Sequence, residues 1–257
     1  MPAIDLNSDM GEGFGAWKMG DDMAMLGTVT TANVACGFHA GDPRIMHHVV
    51  AEAKRQGVTV GAHPGFNDLW GFGRRRIDMR PDDLEYMVAY QIGALQAMAA
   101  YSGVKVTHLK PHGALNNIAA ENADCALAIG RAIKAVDPAI IYVALAGSEM
   151  EKAGRTLNLP VAVEGFCDRQ YDDDGNLTSR KILGSVIKDP AVATRQVLDM
   201  VLNQTITSRN GKKIKCKVHT MCVHGDEPTG VATARAVREA LEKAGVELVP
   251  LTEMILD

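Results

Sequence analysis

The sequence predicts an α/β protein: a distorted parallel (β/α) barrel of about seven strands, folded as one domain over residues 1–257. Three observations carry that prediction. Short apolar or β-branched runs alternate with helical patterns along the whole chain. Repeated βα units of about 30 residues call for a parallel sheet covered on both faces, and seven or eight of them fill a chain of this length. Polar clusters also stand directly after several apolar runs, as they do where a barrel gathers one site from many strand ends. A doubly wound open sheet is the alternative, but its crevice draws on few strand ends at one switch point.

Taken in order, Ala3–Leu6 is the first strand-like run, and it leads into Asp5-Leu6-Asn7-Ser8-Asp9-Met10-Gly11-Glu12. Alternation turns Asp5 and Asn7 to one face; a charge inside a strand is costly unless paired, which ties Asp5 to a site or its support. Met19–Met25 reads as packing. Thr31–Ala35 precedes Cys36-Gly37-Phe38-His39-Ala40-Gly41-Asp42, where Asp42-Pro43 offers a capping aspartate and a first-turn proline. Asp42 therefore reads equally as a cap or as a site residue, and His47-His48 fall on the surface of that helix. Thr59–Ala62 runs into Gly61-Ala62-His63-Pro64-Gly65. A long loop, Asn67–Arg80, carries Trp70, Gly71-Phe72-Gly73 and Arg74-Arg75-Arg76.

Pro81–Tyr101 places Leu84, Met87, Val88, Ile92, Leu95 and Met98 at helical spacing. Val106–Leu109 then leads into Lys110-Pro111-His112-Gly113. Ile140–Leu145 and Val161–Glu164 are further strands, and Gly165–Lys188 is an excursion with a turn at Asp172-Asp173-Asp174-Gly175. Asp189-Pro190 opens the helix Ala191–Leu202. Asn210-Gly211 marks a hairpin turn before the strand Val218–Val223, which runs into Cys222-Val223-His224-Gly225-Asp226-Glu227. Helix Val231–Ala244 and strand Glu247–Leu251 complete the series.

Composition sets the limits. The chain has 27 basic and 31 acidic residues, a balance that argues against a nucleic-acid partner held through phosphates. No apolar run approaches the roughly 20 residues of a membrane span, and the N-terminal residues lack the pattern of a signal peptide. Five cysteines in unrelated contexts do not form a disulfide framework, so cytoplasm is the expected compartment.

The chemistry-bearing residues lie in the polar clusters. His108 and Lys110 share one strand face, with His108 a layer deeper and suited to a hydrogen-bonded structural role. Pro111 excludes the helical histidine pair of a zincin. Lys110, between an apolar strand and Pro-His-Gly, reads as functional in preference to a surface lysine. Asp5, Asp9, Glu12, Asp42 and Asp226 are the acidic partners. Asp226 stands beside His224, where a carboxylate suits general-base chemistry, or alternatively caps the next helix. Asp9, His39 and His63 are the first candidates for a divalent metal, although scattered histidines equally suit acid–base work. Cys36 and Cys222 end strands, where a small buried thiol is more often packing than a nucleophile. No P-loop, complete dinucleotide fingerprint or Gly-x-Ser-x-Gly elbow is present.

Asp5–Glu12, Asn33–Pro43, Gly61–Gly65, Gly71–Arg75, Lys110–Leu115, Glu164–Arg169 and Val223–Asp226, in that order, resemble the LamB/YcsF family over nearly the whole chain. Asn116 and Cys167 depart from the usual pattern, where tyrosine and alanine are expected. The resemblance implies a barrel similar to the glycoside hydrolase/deacetylase superfamily. It implies ATP-dependent opening of 5-oxo-L-proline to L-glutamate, with ATP as co-substrate and separate B and C subunits as partners. Asp9, His63, Lys110, His112, His224 and Asp226 are then the catalytic candidates. Asn7, Glu12, His39, Arg74, Arg75 and Arg169 are the candidates for holding the co-substrate or substrate. Phosphorylating a lactam oxygen needs cations, for which Lys110, Arg74 and Arg75 are placed, and Arg169 suits the substrate carboxylate. Water would be activated by His224 with Asp226 or by His63 with Asp9. Two rival readings remain: a metal-dependent deacetylase or amidohydrolase on a small amide or sugar, and a subunit that binds 5-oxoproline without catalysing.

Overall fold

Apolar runs too short for helices become the parallel strands of a barrel in the computed structural model, which describes residues 2–225 and 229–256. The elements are β1 (Ala3–Met10), α1 (Asp22–Leu26), β2 (Thr31–Ala35), α2 (Pro43–Gln56), β3 (Thr59–His63) and α3 (Pro81–Tyr101). They continue with β4 (Val106–Leu109), α4 (Gly113–Glu121), α5 (Ala123–Val136), β5 (Ile141–Leu145), α6 (Glu149–Thr156) and β6 (Val161–Phe166). The last are α7 (Pro190–Asn203), β7 (Thr205–Thr207), β8 (Lys213–Lys215), β9 (Thr220–Cys222), α8 (Gly230–Lys243) and β10 (Glu247–Leu248).

Strands β1 to β6 follow one another around the sheet, and β9 closes it by pairing with both β6 and β1. The closed ring therefore has seven parallel strands, as the alternation of strand and helix predicts. Strand β10 lies outside that ring. It pairs with Ala3 and Ile4 of β1, while Asp5 to Asn7 of the same strand pair with Thr220 to Cys222. Between β3 and β4 the register shifts between Val60 and Ala62, which distorts the barrel. Gly61 sits at that shift, where an added Cβ would lie 2.1 Å from the His108 ring. Only glycine lets the imidazole cross the strand so closely.

The larger apolar core lies between the ring and its helices, through residues such as Leu6, Val34, Val60, Leu109 and Tyr142. The opposite faces of β5 and β6 supply a second, small cluster, Ile141, Val143 and Ala162, packed against Leu251. Helix boundaries follow local chemistry. Asp42 caps α2 by accepting from the Arg44 and Ile45 amides at 2.9 Å, and Asp189 caps α7 by accepting from Ala191. The Asn210-Gly211 turn joins the antiparallel pair β7–β8. No helix among the described residues is long and apolar enough to cross a membrane.

Candidate active site at the barrel mouth

Residues facing into the ring from β1, β2, β4, β6 and β9 form stacked polar layers. Lowest is Asp5, whose carboxylate oxygens are held by the hydroxyls of Thr30, Thr31 and Thr220. Burial pushes this carboxyl up from 3.8 to about 6, against the lowering effect of those hydroxyls. Above it, Asn7 donates to Glu164 at 3.1 Å and to Thr220 at 2.6 Å. Asn33 donates to Asn7 at 2.7 Å and to Asp9 at 2.9 Å. The Asn33 amide oxygen accepts from His108 Nε2 at 2.9 Å. Burial, then the charge of Lys110, pulls His108 down to about 3, so it stays a neutral bridge.

The next layer holds a buried ammonium. Lys110 Nζ lies 2.9 Å from Asp9 Oδ1, 3.0 Å from Glu164 Oε1 and 2.9 Å from Cys222 Sγ, and 5.1 Å from the centre of the Phe166 ring. Burial opposes the lysine charge, but Asp9, Cys222 and Glu164 outweigh it and hold the ammonium well above its usual range. Asp9 is held well below the carboxylate range: burial alone would raise it, and His63 and Lys110 overcome that. Cys222 is kept a thiol chiefly by burial. Cys36 is likewise pushed up to about 12, and its Sγ donates to Val34 O at 3.2 Å. Neither thiol is an activated nucleophile.

Beside the ammonium stands a cluster of three imidazoles and a carboxylate. Glu12 Oε1 lies 3.2 Å from His39 Nε2, 3.1 Å from His112 Nδ1 and 3.7 Å from His63 Nε2. His63 Nε2 is also 3.3 Å from Asp9 Oδ2. His39 stacks on His112 with ring centres 3.6 Å apart. Gly73, at φ +61°, permits that stack, because a Cβ there would lie 2.7 Å from His39 Cβ and 2.8 Å from His112 Cδ2. Burial, then His112, pulls His39 down to about 3, and its Nδ1 is buried without a partner. Glu12 is drawn below the carboxylate range, burial notwithstanding, by the His112 and His39 hydrogen bonds.

Both clusters open on a cavity of about 280 Å³. Its far wall is basic: Arg74 comes from the loop before α3, and Arg169, Arg180 and Lys181 from the excursion after β6. The Arg74 guanidinium covers the Phe72 ring at 4.9 Å. Arg169 is buried; one terminal nitrogen donates to Thr178 O at 2.7 Å, while Nε has no partner. Burial, then Arg180, brings Arg169 down to about 10. His224 also lines the cavity, with Nδ1 2.8 and 2.9 Å from the two Asp168 oxygens.

Residues 4–256 match the profile of the LamB/YcsF family. The chain belongs to that family. It is 54% identical to the A subunit of 5-oxoprolinase from Rhodopseudomonas palustris strain BisB5, over 96% of this chain and 98% of that one. It is similar to the crystal structure of the lactam utilization protein from Thermus thermophilus. That likeness has a TM-score of 0.91 at 44% identity, covering 96% of this chain and 99% of that chain. The catalytic domain of a peptidoglycan N-acetylglucosamine deacetylase from Eubacterium rectale shares the fold alone, with a TM-score of 0.52 at 12% identity over 100% and 91% of the two chains.

In this LamB/YcsF chain, the residues that the sequence singles out mostly converge. Asp9, Glu12, His63, Arg74, Lys110, His112, Arg169 and His224 all border the cavity. His39 is buried behind Glu12 and His112, touching both. Asn7 does not reach the cavity; it lies below and positions Glu164. Arg75 is a correction. Its side chain is 65% exposed and pairs with Asp68, because the loop before α3 turns consecutive arginines to opposite sides. Asp226 lies outside the described residues, and Asp168 supplies the carboxylate at His224. Glu164, the second counter-charge of Lys110, is absent from the candidates that the sequence offers. Its signal is an acid inside an otherwise apolar strand.

Proposed function

We propose that this chain is the A subunit of a 5-oxoprolinase, opening 5-oxo-L-proline to L-glutamate with ATP as co-substrate and with B and C subunits as partners. The observation that carries the reading is Arg169, a buried guanidinium whose Nε lacks a partner, on the wall of a cavity sized for a small molecule. A small lactam carrying one carboxylate is the ligand such a fork suits. The Rhodopseudomonas and Thermus relatives, a 5-oxoprolinase A subunit and a lactam utilization protein by name, support the same substrate class.

A lactam carbonyl is a poor electrophile. Attack of its oxygen on the γ-phosphorus of ATP releases ADP and leaves that oxygen as a phosphate ester. Water then adds to the ring carbon, the C–N bond breaks with a proton passing to nitrogen, and a second water releases phosphate to give glutamate. Arg74, Arg180 and Lys181 supply positive charge around the phosphoryl group, and Lys110 fixes charge at the cavity floor. His224, with Nδ1 held by Asp168, has Nε2 left to take the proton from water.

The test is glutamate release from 5-oxo-L-proline, with and without ATP, by the chain alone and with its B and C partners. Turnover is expected only in the complete mixture with ATP, and Arg169→Lys should raise KM more than it lowers kcat. Turnover by the chain alone without ATP would replace this reading with an uncoupled amidohydrolase.

A further inference from the structure

We propose that Glu12, His39, His63 and His112 bind one divalent transition-metal ion of the zinc class at the edge of the cavity. A backbone carbonyl only accepts hydrogen bonds, so an imidazole nitrogen bonded to one carries a proton. His63 Nδ1 lies 2.7 Å from Lys110 O, and His112 Nε2 lies 2.8 Å from Phe72 O. The other nitrogens of these two rings, His63 Nε2 and His112 Nδ1, are therefore lone-pair atoms in the neutral rings. They face each other at 3.0 Å. Glu12 Oε1, also electron-rich, stands 3.1 Å from the second and 3.7 Å from the first. Lone pairs that converge this closely repel unless a positive centre lies among them, either an added proton or a metal ion.

Two observations favour the metal. Bonds of about 2.0–2.1 Å to a tetrahedral ion place neighbouring donors about 3.3–3.4 Å apart. The four donor atoms lie within 4.8 Å of one another, and the contacts described among them run from 3.0 to 3.7 Å. Anchoring the outer nitrogens of His63 and His112 on carbonyls is the arrangement that fixes the tautomer of a ligating histidine. His39 is buried, with its Nε2 directed at Glu12.

Three imidazoles with one carboxylate suit zinc, cobalt or nickel, and disfavour magnesium and calcium, which take oxygen ligands. Asp9, Cys222 and His224 form a second group of comparable spacing, but there the Lys110 ammonium already lies 2.9 Å from both Asp9 and Cys222. The metal site does not depend on the lactam reading, and the two can fail separately.

Titration of the full chain, stripped with a chelator, tests the site directly. Calorimetry and visible absorption with Co²⁺, followed by Zn²⁺, should show one ion per chain, cobalt d–d bands, displacement by zinc and a rise in Tm. His112→Gln and Glu12→Gln should each weaken binding by more than about 100-fold, beyond the 10- to 100-fold cost of disturbing a ligand's outer partner. His47→Gln, on the exposed face of α2, should leave binding unchanged. Failure of the wild-type chain to bind Co²⁺ and Zn²⁺ stoichiometrically would overturn the proposal, whether or not the variants fold. So would unchanged affinity in variants whose circular dichroism is native. An imidazolium seen by NMR in a chain that refuses metal would make the positive centre a proton, and would overturn it equally.

Discussion

Asp9 and Glu12 stand close together at and just past the end of β1, yet their charges are met in different ways. Asp9 faces a cation that the chain itself supplies: Lys110, shared with Glu164 and roofed by Phe166. Glu12 faces three imidazoles, which bring lone pairs or protons according to conditions. The difference separates a fixed charge from an adjustable one. A tethered ammonium between two carboxylates keeps its state over a wide pH range, and so suits electrostatic stabilisation. A carboxylate ringed by histidines takes its compensation from solution, and so suits binding.

The sharpest way to break this comparison is to remove the tethered cation. Lys110→Met leaves Glu164 buried without a counter-charge and Asp9 with His63 alone, and should cost about 3–5 kcal/mol by chemical denaturation, with loss of glutamate release. His112→Gln in metal-free protein should cost only about 1–2 kcal/mol. Equal costs would erase the distinction.

Asp5 extends the comparison to a carboxylate met by hydroxyls alone. Its folded-state value is raised from 3.8 to about 6, chiefly by burial, so it favours folding while protonated. That contribution is fully present below about pH 4 and is lost as pH rises through about 6. The stability of wild type relative to Asp5→Asn should thus fall by up to about 3 kcal/mol between pH 4 and 8 in denaturation curves. A flat difference would place a cation near Asp5.

Gly61→Ala tests the layer that supports both pockets. The added carbon meets the His108 ring, which should move off Asn33 and cost about 1–3 kcal/mol, visible as a lower Tm. The smallest effect is expected at Asp42→Ala, where loss of the α2 cap should cost about 1 kcal/mol and leave turnover unchanged. A large loss of turnover there would return Asp42 to the site.

The strands are legible in the sequence because their periodicity is local: each predicted run overlaps a strand, although β1 runs on to Met10 and β10 stops at Leu248, and the Asn-Gly signal marks the β7–β8 hairpin. Alternation likewise places His108 one layer below Lys110. Helices α4, α5 and α6 do not stand out in the same way. Ala123–Val136 does turn a stripe through Ile129, Ala132 and Ile133 inward, but much of that stripe is alanine, which marks a face weakly, and the break at Asn122 appears only as a cap on Cys125. Pairings across the lumen are harder still. Neither the Asp168–His224 contact nor the Glu164–Lys110 contact has a signal in spacing, because each depends on how strands and an irregular excursion meet after the ring has closed. The Arg74-Arg75-Arg76 run shows the same limit within one loop, since local geometry sends Arg74 to the cavity and Arg75 to Asp68.

Closure of the ring by β9 also sets an order of events for the growing chain. Asp5 meets Thr220 across 215 residues of sequence, and His224 follows the strand that fills the last gap. Contacts so distant in sequence carry a large loop-closure cost and form slowly. Until residues 220–222 are made, β1 and β6 remain open edges, and Asp5 and Glu164 are without the interior that holds them. The side of the mouth where Cys222 meets Lys110 and His224 meets Asp168 is therefore completed only at the end of synthesis, and a chain cut before β9 should lack it.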